Sequence, residues 1–237
     1  MLDVKDISKS IKGRKIVSKV NIEINKSDIF GLLGPNGAGK TSTFYIIAGL
    51  MNPDDGKIIL SNKDISKLPM HKRSKLGIKY LPQEPSIFQN LTVYENLLGL
   101  AELSFKNNKD ITDFVSSSIE EFGLSDITQL KGRQLSGGQR RKVEIARTLA
   151  AKPKIILLDE PFAGIDPLAI EDIKSVLKSL SAKGISILIT DHNLRETMDV
   201  CNYSIVIKNG SILDKGEKDY LVNSSLIKKE YFGKVFD

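Results

Sequence analysis

The pattern of apolar and polar residues predicts two strand-rich regions separated by a helical one. Strands are predicted at residues 2–7, 20–24, 28–33, 57–60 and 78–81. The first two alternate with period two, as half-buried strands do, and an Asp55-Gly56 turn is expected before the fourth. A helix is expected after the glycine-rich turn that follows Leu33.

The middle of the chain, from Thr92 to Ala151, shows no convincing strand pattern. Thr92 with Glu95, and Ser136 with Gln139, have capping-box spacing and predict two helix starts. Apolar residues three or four positions apart predict another helix between them, which Gly123 ends. These residues are Ile111, Val115, Ile119 and Phe122. We therefore expect an inserted, all-helical lobe.

Strands and helices alternate again after Pro153. Residues 154–158 and 185–190 are mostly apolar, as buried parallel strands are, and Asp166 is expected to cap the helix between them. Asn209-Gly210 then predicts a hairpin. This order predicts one α/β domain over residues 1–237, with a mostly parallel sheet core (1–91 and 152–237), an antiparallel edge and the helical lobe at about 92–151.

Composition narrows the class of protein only slightly. The 237 residues are 41% hydrophobic, which suits one compact domain. A net charge of +6 is compatible with phosphate-bearing ligands, nucleic acid, an anionic membrane or simply a lysine-rich surface. The single cysteine, Cys201, cannot form an internal disulfide. Because we see no signal peptide and no apolar run of about 20 residues, a cytoplasmic location is expected.

A glycine-rich segment between a predicted strand and a predicted helix matches the phosphate-binding pattern G-x-x-x-x-G-K-[ST]. It comprises Gly34, Pro35, Asn36, Gly37, Ala38, Gly39, Lys40 and Thr41, and the predicted site also includes Ser42. Glycines let backbone N–H groups curl around an anion at a helix N-terminus. Lys40 adds a positive charge for the outer phosphates, and the Thr41 hydroxyl suits Mg²⁺. An ordinary glycine-rich turn would need neither of these side chains.

The apolar strand at 155–158 delivers two carboxylates, Asp159 and Glu160, at its carboxyl end, where ligands of parallel α/β sheets bind. We expect Asp159 to hold the Mg²⁺ shell, and Glu160 to orient and deprotonate an attacking water. The alternative is a solvated acidic strand end, which the upstream phosphate loop disfavours.

The segment Leu135-Ser136-Gly137-Gly138-Gln139 precedes a predicted helix. From the residues alone, it is a second anion site at a serine-capped helix start. It resembles the signature sequence of ATP-binding cassette (ABC) ATPases, and the similarity extends over nearly the whole chain. The resemblance implies hydrolysis of Mg-ATP by a head-to-tail homodimer, in which this segment closes over nucleotide held by the phosphate loop of the other subunit.

The resemblance also assigns roles that the residues alone do not. Gln83 matches a loop glutamine that contacts Mg²⁺ and water and connects core to lobe, and His192 matches the switch histidine that reaches the γ-phosphate. Asp166 matches a loop that crosses the dimer interface. Ile11 stands where the family usually has an aromatic residue that stacks on adenine, so weak adenine preference is expected.

Three short segments resemble the ATPase subunits of lipopolysaccharide exporters: Ser86-Ile87-Phe88, Phe162-Ala163-Gly164 and residues 193–197. This similarity implies a subunit peripheral to the cytoplasmic face of the inner membrane, bound to two membrane-spanning subunits and to no nucleic acid. Gln89-Asn90 departs from that pattern, because a basic pair is usual there.

Three other functions stay open. An importer ATPase for branched-chain amino acids has the same compact plan. A cytosolic cassette ATPase acting on nucleic acid or ribosomes commonly has two cassettes or a coiled-coil insertion, and this chain shows one cassette and no sustained heptad repeat. A regulatory module without turnover would not need Glu160.

Transport coupling is expected in the segment between Gln83 and Asn96, which leaves the glutamine and enters the lobe. Ile87 and Phe88 bring apolar bulk to a loop that would otherwise be polar. Residue type alone allows either docking of a partner helix or burial in the lobe's own core.

Overall fold

The computed structural model describes residues 1–192 and 194–232 of the chain. Its strands are β1 (Leu2–Ile11), β2 (Arg14–Ile24), β3 (Ile29–Leu33), β4 (Asp55–Leu60), β5 (Lys63–Asp64), β6 (Ile78–Leu81), β7 (Ile155–Asp159), β8 (Ser186–Thr190), β9 (Tyr203–Lys208) and β10 (Ser211–Gly216). Its α-helices are α1 (Lys40–Ala48), α2 (Met70–Lys75), α3 (Val93–Ser104), α4 (Asn108–Glu121), α5 (Gly137–Leu149), α6 (Pro167–Ala182), α7 (Leu194–Val200), α8 (Lys218–Asn223) and α9 (Ser225–Ile227). Within these described residues, no helix is both long and apolar enough to cross a membrane.

The strands form two sheets. An antiparallel sheet has the order β2-β1-β4-β5, and a six-stranded sheet has the order β10-β9-β3-β8-β7-β6. In the larger sheet only β10 is antiparallel to its neighbour. Strands β3, β7 and β8 are buried throughout, as parallel strands are when helices cover both faces. The predicted α/β fold with an antiparallel edge is therefore confirmed.

Two local predictions need correction. The first two strands are longer than their alternation predicts, because β1 and β2 continue as a hairpin to a turn at Lys12-Gly13. Asp55 and Gly56 do not form a turn but lie in β4. Gly56 has a φ of 92°, and a Cβ there would lie 2.5 Å from the Lys5 carbonyl oxygen. The glycine thus allows β4 to approach β1 closely at a shift in strand register.

The middle of the chain is helical, and its described residues contain no named strand between Thr92 and Leu149. Thr92 and Glu95 form the predicted capping box of α3, and Ser136 and Gln139 form that of α5. Buried apolar residues of α3, α4 and α5 belong to one cluster with residues of β7 and β8. The helices therefore share a core with one face of the larger sheet.

The C-terminal end of α1 is anchored by a buried arginine. The Arg73 side chain is fully buried, and its Nη1 donates to the carbonyl oxygens of Ile46 and Ile47 at 2.7 and 2.8 Å. Its Nε and Nη2 donate to the carbonyl oxygens of Leu68 and Ser66 at 2.7 and 2.9 Å. Burial lowers the pKa of Arg73 to about 10, which leaves it charged at neutral pH. A cation therefore binds carbonyl oxygens at the end of α1, where Ile46 also accepts a hydrogen bond from the Gly49 N–H at 3.3 Å.

Candidate active site

The predicted phosphate loop connects β3 to α1 and forms one wall of a cleft of about 620 Å³. A cleft of this size suits a nucleotide, since small-molecule sites commonly measure roughly 300–1,000 Å³. The loop and first-turn residues that line it are Asn36, Gly37, Ala38, Gly39, Lys40, Thr41 and Ser42, while Gly34 and Pro35 lie at the start of the loop. Glu160 lies on the wall of the same cleft.

Two glycines of the loop are required by close packing. A Cβ on Gly34 would lie 2.3 Å from the carbonyl oxygen of Ile207, and one on Gly39 would lie 2.5 Å from that of Ile16. Gly39 also has a φ of 103°, which side chains rarely adopt. The loop is thus held between β2 and β9, with its N–H groups at the start of α1.

The ammonium group of Lys40 lies inside the loop. Its side chain is buried, and Nζ donates to the carbonyl oxygens of Gly34 and Pro35 at 2.6 and 3.1 Å. Burial lowers the pKa of Lys40, and the charges of Glu160 and two nearby aspartates oppose that shift. The predicted cation and the predicted carboxylates therefore share one electrostatic environment.

Asp159 lies buried at the end of β7 and is held by two residues that the sequence motifs did not identify. Tyr80 Oη donates to Asp159 Oδ2 at 3.2 Å, and Arg141 Nη2 donates to the Asp159 carbonyl oxygen at 3.2 Å. Burial raises the pKa of Asp159, which the Tyr80 hydrogen bond partly offsets. The pKa of Tyr80 is raised by burial and by this carboxylate, so the phenol stays a donor.

Three residues that were predicted from separate motifs meet at the Glu160 carboxylate. Gln83 Nε2 donates to Glu160 Oε2 at 2.7 Å, and His192 Nδ1 lies 3.2 Å from the same oxygen. Glu160 has a φ of 44°, and its N–H donates to the Thr190 carbonyl oxygen at 2.7 Å. The structure thus brings the three predicted catalytic side chains together, although the first and the last are 109 positions apart (192 − 83).

Asp191 is a further acidic residue of the site that the motifs did not single out. Its side chain is fully buried, and Oδ2 accepts a hydrogen bond from the Phe162 N–H at 3.1 Å. Its Oδ1 lies 3.6 Å from His192 Nδ1. Asp191 therefore connects the turn after Glu160 to the histidine.

The segment predicted to be a second anion site lies at the start of α5. Ser136 Oγ accepts a hydrogen bond from the Gln139 N–H at 3.2 Å, and the Ser136 N–H donates to Gln139 Oε1 at 3.0 Å. A Cβ on Gly138 would lie 2.4 Å from Cβ of Ala169, so helix packing also requires that glycine. Among the described residues lining the main cleft, none comes from the predicted segment Ser136, Gly137, Gly138 and Gln139.

Asp166 caps α6, as predicted, and its Oδ1 accepts a hydrogen bond from the Ala169 N–H at 3.0 Å. The residue is exposed, beside the start of α5. This position leaves its carboxylate accessible at the surface that carries the signature segment.

Three charged residues of α5 hold the backbone on both sides of Gln83. Arg141 Nη1 donates to the Pro82 carbonyl oxygen at 3.1 Å and to Glu144 Oε2 at 3.2 Å. Glu144 Oε1 accepts a hydrogen bond from the Ser86 N–H at 2.6 Å, and Arg147 Nη1 donates to the Ser86 carbonyl oxygen at 2.9 Å. The sequence feature that could have identified these residues is the pair of opposite charges at Arg141 and Glu144. They lie three positions apart on the buried side of α5.

Ile11 lies on the rim of the cleft with Lys12, Arg14 and Ile16. Its side chain is 41% exposed, and none of the described residues lining the cleft is aromatic. The structure therefore places Ile11 at the rim of the cleft, and the described residues that line the cleft supply no aromatic platform.

We expect Ile11→Tyr to tighten ATP binding by about 1–3 kcal/mol, because an aromatic side chain adds base stacking. The wild-type chain should discriminate poorly between ATP and GTP. Titration calorimetry with ATP and GTP measures both effects, and Ile11→Leu provides an apolar control without stacking. Equal ATP affinity in the Tyr and Leu variants would assign the base platform to another residue.

The comparisons with known proteins agree with this geometry. Residues 17–163 match the ABC transporter family model, and the chain belongs to that family. The predicted class of enzyme, an ABC-type ATPase, is confirmed.

Two curated relatives are both described as lipopolysaccharide export system ATP-binding protein LptB. The protein of Haemophilus influenzae is 49% identical over 100% of this chain and 98% of its own length. The protein of Escherichia coli K12 is 44% identical over 99% of this chain and 98% of its own length. Asn193, in one of the three segments that indicated this subfamily, lies outside the described residues.

Two solved ABC cassettes share the fold. The ADP conformation of MJ1267 is 30% identical, covers 99% of both chains and has a TM-score of 0.87. The dimeric structure of the bacterial cassette MJ0796 is 25% identical, covers 92% of this chain and 98% of its own, and has a TM-score of 0.79.

Proposed function

We propose that this chain hydrolyses Mg-ATP with Glu160 as the general base and powers the export of lipopolysaccharide. The observation that carries the catalytic part is the convergence of Gln83 and His192 on the Glu160 carboxylate, beside the buried Lys40 loop. A carboxylate held by two hydrogen-bonding side chains is fixed in direction, which a base for an attacking water requires.

The proposed ligands fit a magnesium ion. Thr41, Gln83 and Asp159 offer hydroxyl, amide and carboxylate oxygens, and Mg²⁺ prefers oxygen ligands. When bound, the ion neutralises charge that develops on the phosphate oxygens. Tyr80 orients the Asp159 carboxylate before the ligand arrives, and Arg141 holds the backbone carbonyl of the same residue.

The remaining steps use groups of this chain. The N–H groups at the start of α1 and the Lys40 ammonium bind the phosphates. Glu160 takes a proton from water, His192 lies at the same oxygen, and the Gln83 amide restrains the Glu160 side chain. The 3.2 Å separation lets His192 share a hydrogen with Glu160 or turn toward the γ-phosphate.

The proposed active form is a head-to-tail homodimer. The signature segment and Asp166 lie outside the main cleft of their own chain, although both are suited to contact nucleotide or a second subunit. The dimeric structure of the MJ0796 cassette supports such an arrangement. Each cleft would then be completed by Ser136 and Gly138 of the second copy.

The proposed cargo and partners come from the relatives. Proteins described as lipopolysaccharide export ATP-binding proteins match this chain over almost their full length. We infer that two copies bind two membrane-spanning subunits at the cytoplasmic face of the inner membrane. Proteoliposomes containing those subunits and lipopolysaccharide should release the glycolipid only when ATP is hydrolysed. Cargo release without ATP, or failure to assemble with such subunits, would contradict the proposal.

The proposed docking surface follows Gln83 along the chain. Its two adjacent apolar residues, Ile87 and Phe88, differ in exposure. Ile87 is 5% exposed and packs in the lobe core, so the expectation that it offers apolar bulk at the surface is wrong. Phe88 is 52% exposed, and the Arg147 guanidinium lies 4.7 Å from its ring centroid. Leu91 and Tyr94 are also exposed. These three exposed apolar side chains lie in one short segment of the chain, to which we propose that a partner helix docks.

We expect Phe88→Ala to weaken binding of the membrane subunits by about 2 kcal/mol or more, because the proposed docking segment loses its exposed aromatic anchor. ATP hydrolysis by the isolated chain should stay near the wild-type rate, since Phe88 has no described contact with the cleft. Co-purification from membranes measures the loss.

The matched control is Leu103→Ala, which removes a side chain that is 84% exposed on the same lobe. It should co-purify normally. Wild-type yield of the complex with Phe88→Ala, or unfolding of that variant, would exclude Phe88 as a docking anchor.

A further inference from the structure

Lys174 is a buried lysine that the proposed reaction does not use. It lies in α6 with 4% of its surface exposed. Its Nζ lies 2.8 Å from Glu171 Oε1 and 3.5 Å from Asp199 Oδ2, and it makes a closer ion pair with Glu196. Burial disfavours its charge, but hydrogen bonds with Glu171 and Glu196 outweigh that cost, and the pKa of Lys174 is raised. The ammonium therefore stays charged at neutral pH.

The ion pairs of Lys174 join α6 to α7, the helix that follows His192 along the chain. Glu171 belongs to α6 itself, whereas Glu196 and Asp199 belong to α7. Helix α6 begins directly after Asp166, and α7 begins two residues after His192. Asp199 Oδ1 also pairs with Lys218 at 2.5 Å, which extends the network to α8. A buried cation thus fixes the helix that follows the switch histidine.

The position of His192 depends on its backbone more than on packing of its ring. The ring is 58% exposed, and its described contacts are Glu160 at 3.2 Å and Asp191 at 3.6 Å. On the N-terminal side, β8 is fixed by its pairing with β7 through Asp159 and Thr190. On the C-terminal side, α7 is the next regular element along the chain. A shift of α7 on α6 would therefore move the histidine relative to Glu160.

We propose that Lys174 is a positioning residue for ATP hydrolysis, which holds His192 at Glu160 by fixing α7 on α6 through Glu196 and Asp199. The inference rests on the proposed roles of Glu160 and His192. It also links the switch histidine to α6, the helix capped by Asp166, which is the residue assigned to the dimer interface. A movement at that interface would thereby reach the γ-phosphate side of the site.

The first test is Lys174→Met in the full chain. We expect kcat for ATP hydrolysis to fall roughly 10- to 100-fold, because a displacement near 1 Å at a reacting group can cost about that much. KM and the affinity for a fluorescent ATP analogue should stay within about twofold, since the phosphate loop is untouched. Lys174→Arg should restore part of kcat.

The matched control is Lys183→Met, which removes an exposed ion pair with Glu121 at 2.6 Å just beyond α6. It should leave kcat unchanged. Wild-type kcat in Lys174→Met would overturn the proposal, as would a fall in kcat that Lys183→Met reproduces.

A second test separates positioning from simple loss of stability. Glu196→Gln keeps the size of the side chain, weakens the ion pair, and remains informative if Lys174→Met does not fold. Single-turnover rates are measured for Glu196→Gln, His192→Ala and the double variant. If the network acts through His192, Glu196→Gln slows the wild type but causes no further loss in the His192→Ala background. Independent, multiplicative losses would overturn the proposal.

The single-turnover rates of Glu196→Gln and His192→Ala test the role of Lys174 and the role of His192 separately. A slow His192→Ala variant combined with a fast Glu196→Gln variant removes only the inference about Lys174. Wild-type turnover in His192→Ala removes both the role of the histidine and the role of the lysine behind it.

Discussion

Glu160→Gln should lose nearly all ATP turnover while still binding ATP. The amide has the size of the carboxylate but cannot accept a proton from water, and general-base catalysis commonly contributes about 10²–10⁴-fold to the rate. The phosphate loop and Lys40 make no described hydrogen bond with the Glu160 side chain, so their contacts should survive. Phosphate release and binding of a fluorescent ATP analogue measure the two properties separately.

The variant should also accumulate as an ATP-bound dimer, because ATP hydrolysis, the step after which the two subunits separate, is blocked. Size-exclusion chromatography with and without ATP detects this change. Glu102→Gln, the same substitution at an exposed position of α3, serves as the control and should turn over normally. A Glu160→Gln protein that retains more than about a tenth of wild-type turnover would remove Glu160 from the proposed base role.

Arg73→Met should cause the largest loss of stability among the changes considered. The substitution leaves four carbonyl oxygens without the donors that Arg73 supplies. Buried acceptors cost about 1–3 kcal/mol each when they lose a partner, and relaxation recovers part of that, so we expect about 3–5 kcal/mol in total. For a chain of this size, such a loss lowers Tm by roughly 10 °C or more.

Urea unfolding and calorimetry measure this loss. The control is Lys72→Met, which removes an exposed cation next to Arg73 in α2. It should change the free energy of unfolding by less than about 0.5 kcal/mol. A loss below about 1 kcal/mol in Arg73→Met would show that water replaces the guanidinium at the end of α1.

The features predicted correctly from the sequence depend on neighbours within a few positions. The capping boxes at Thr92 and Ser136, the Asp166 cap and the Asn209-Gly210 turn each use contacts within about four residues. The residues that were missed act over longer separations. Tyr80 reaches Asp159 across 79 positions, and no spacing rule in the sequence connects them.

The sequence also could not predict which of two adjacent apolar side chains faces solvent. Ile87 and Phe88 are neighbours of similar hydrophobicity, yet one is buried and the other is half exposed. Their directions are set by α5, whose Glu144 and Arg147 fix the backbone of Ser86. The sequence identified the segment, whereas only the packing of the lobe decides which side chain faces outward.

The backbone conformation of Glu160 is unfavourable for a glutamate, although the proposed reaction needs a glutamate there. Its φ of 44° lies in a region that glycine and asparagine occupy more readily, and an ordinary residue there costs of order 1–3 kcal/mol. The hydrogen bond to Thr190 and the contacts with Gln83 and His192 hold the glutamate in this conformation. A search for variants of higher stability would therefore select against glutamate at this position. The most stable variants would lack the general base. Thermostability is thus a misleading guide to activity in this turn.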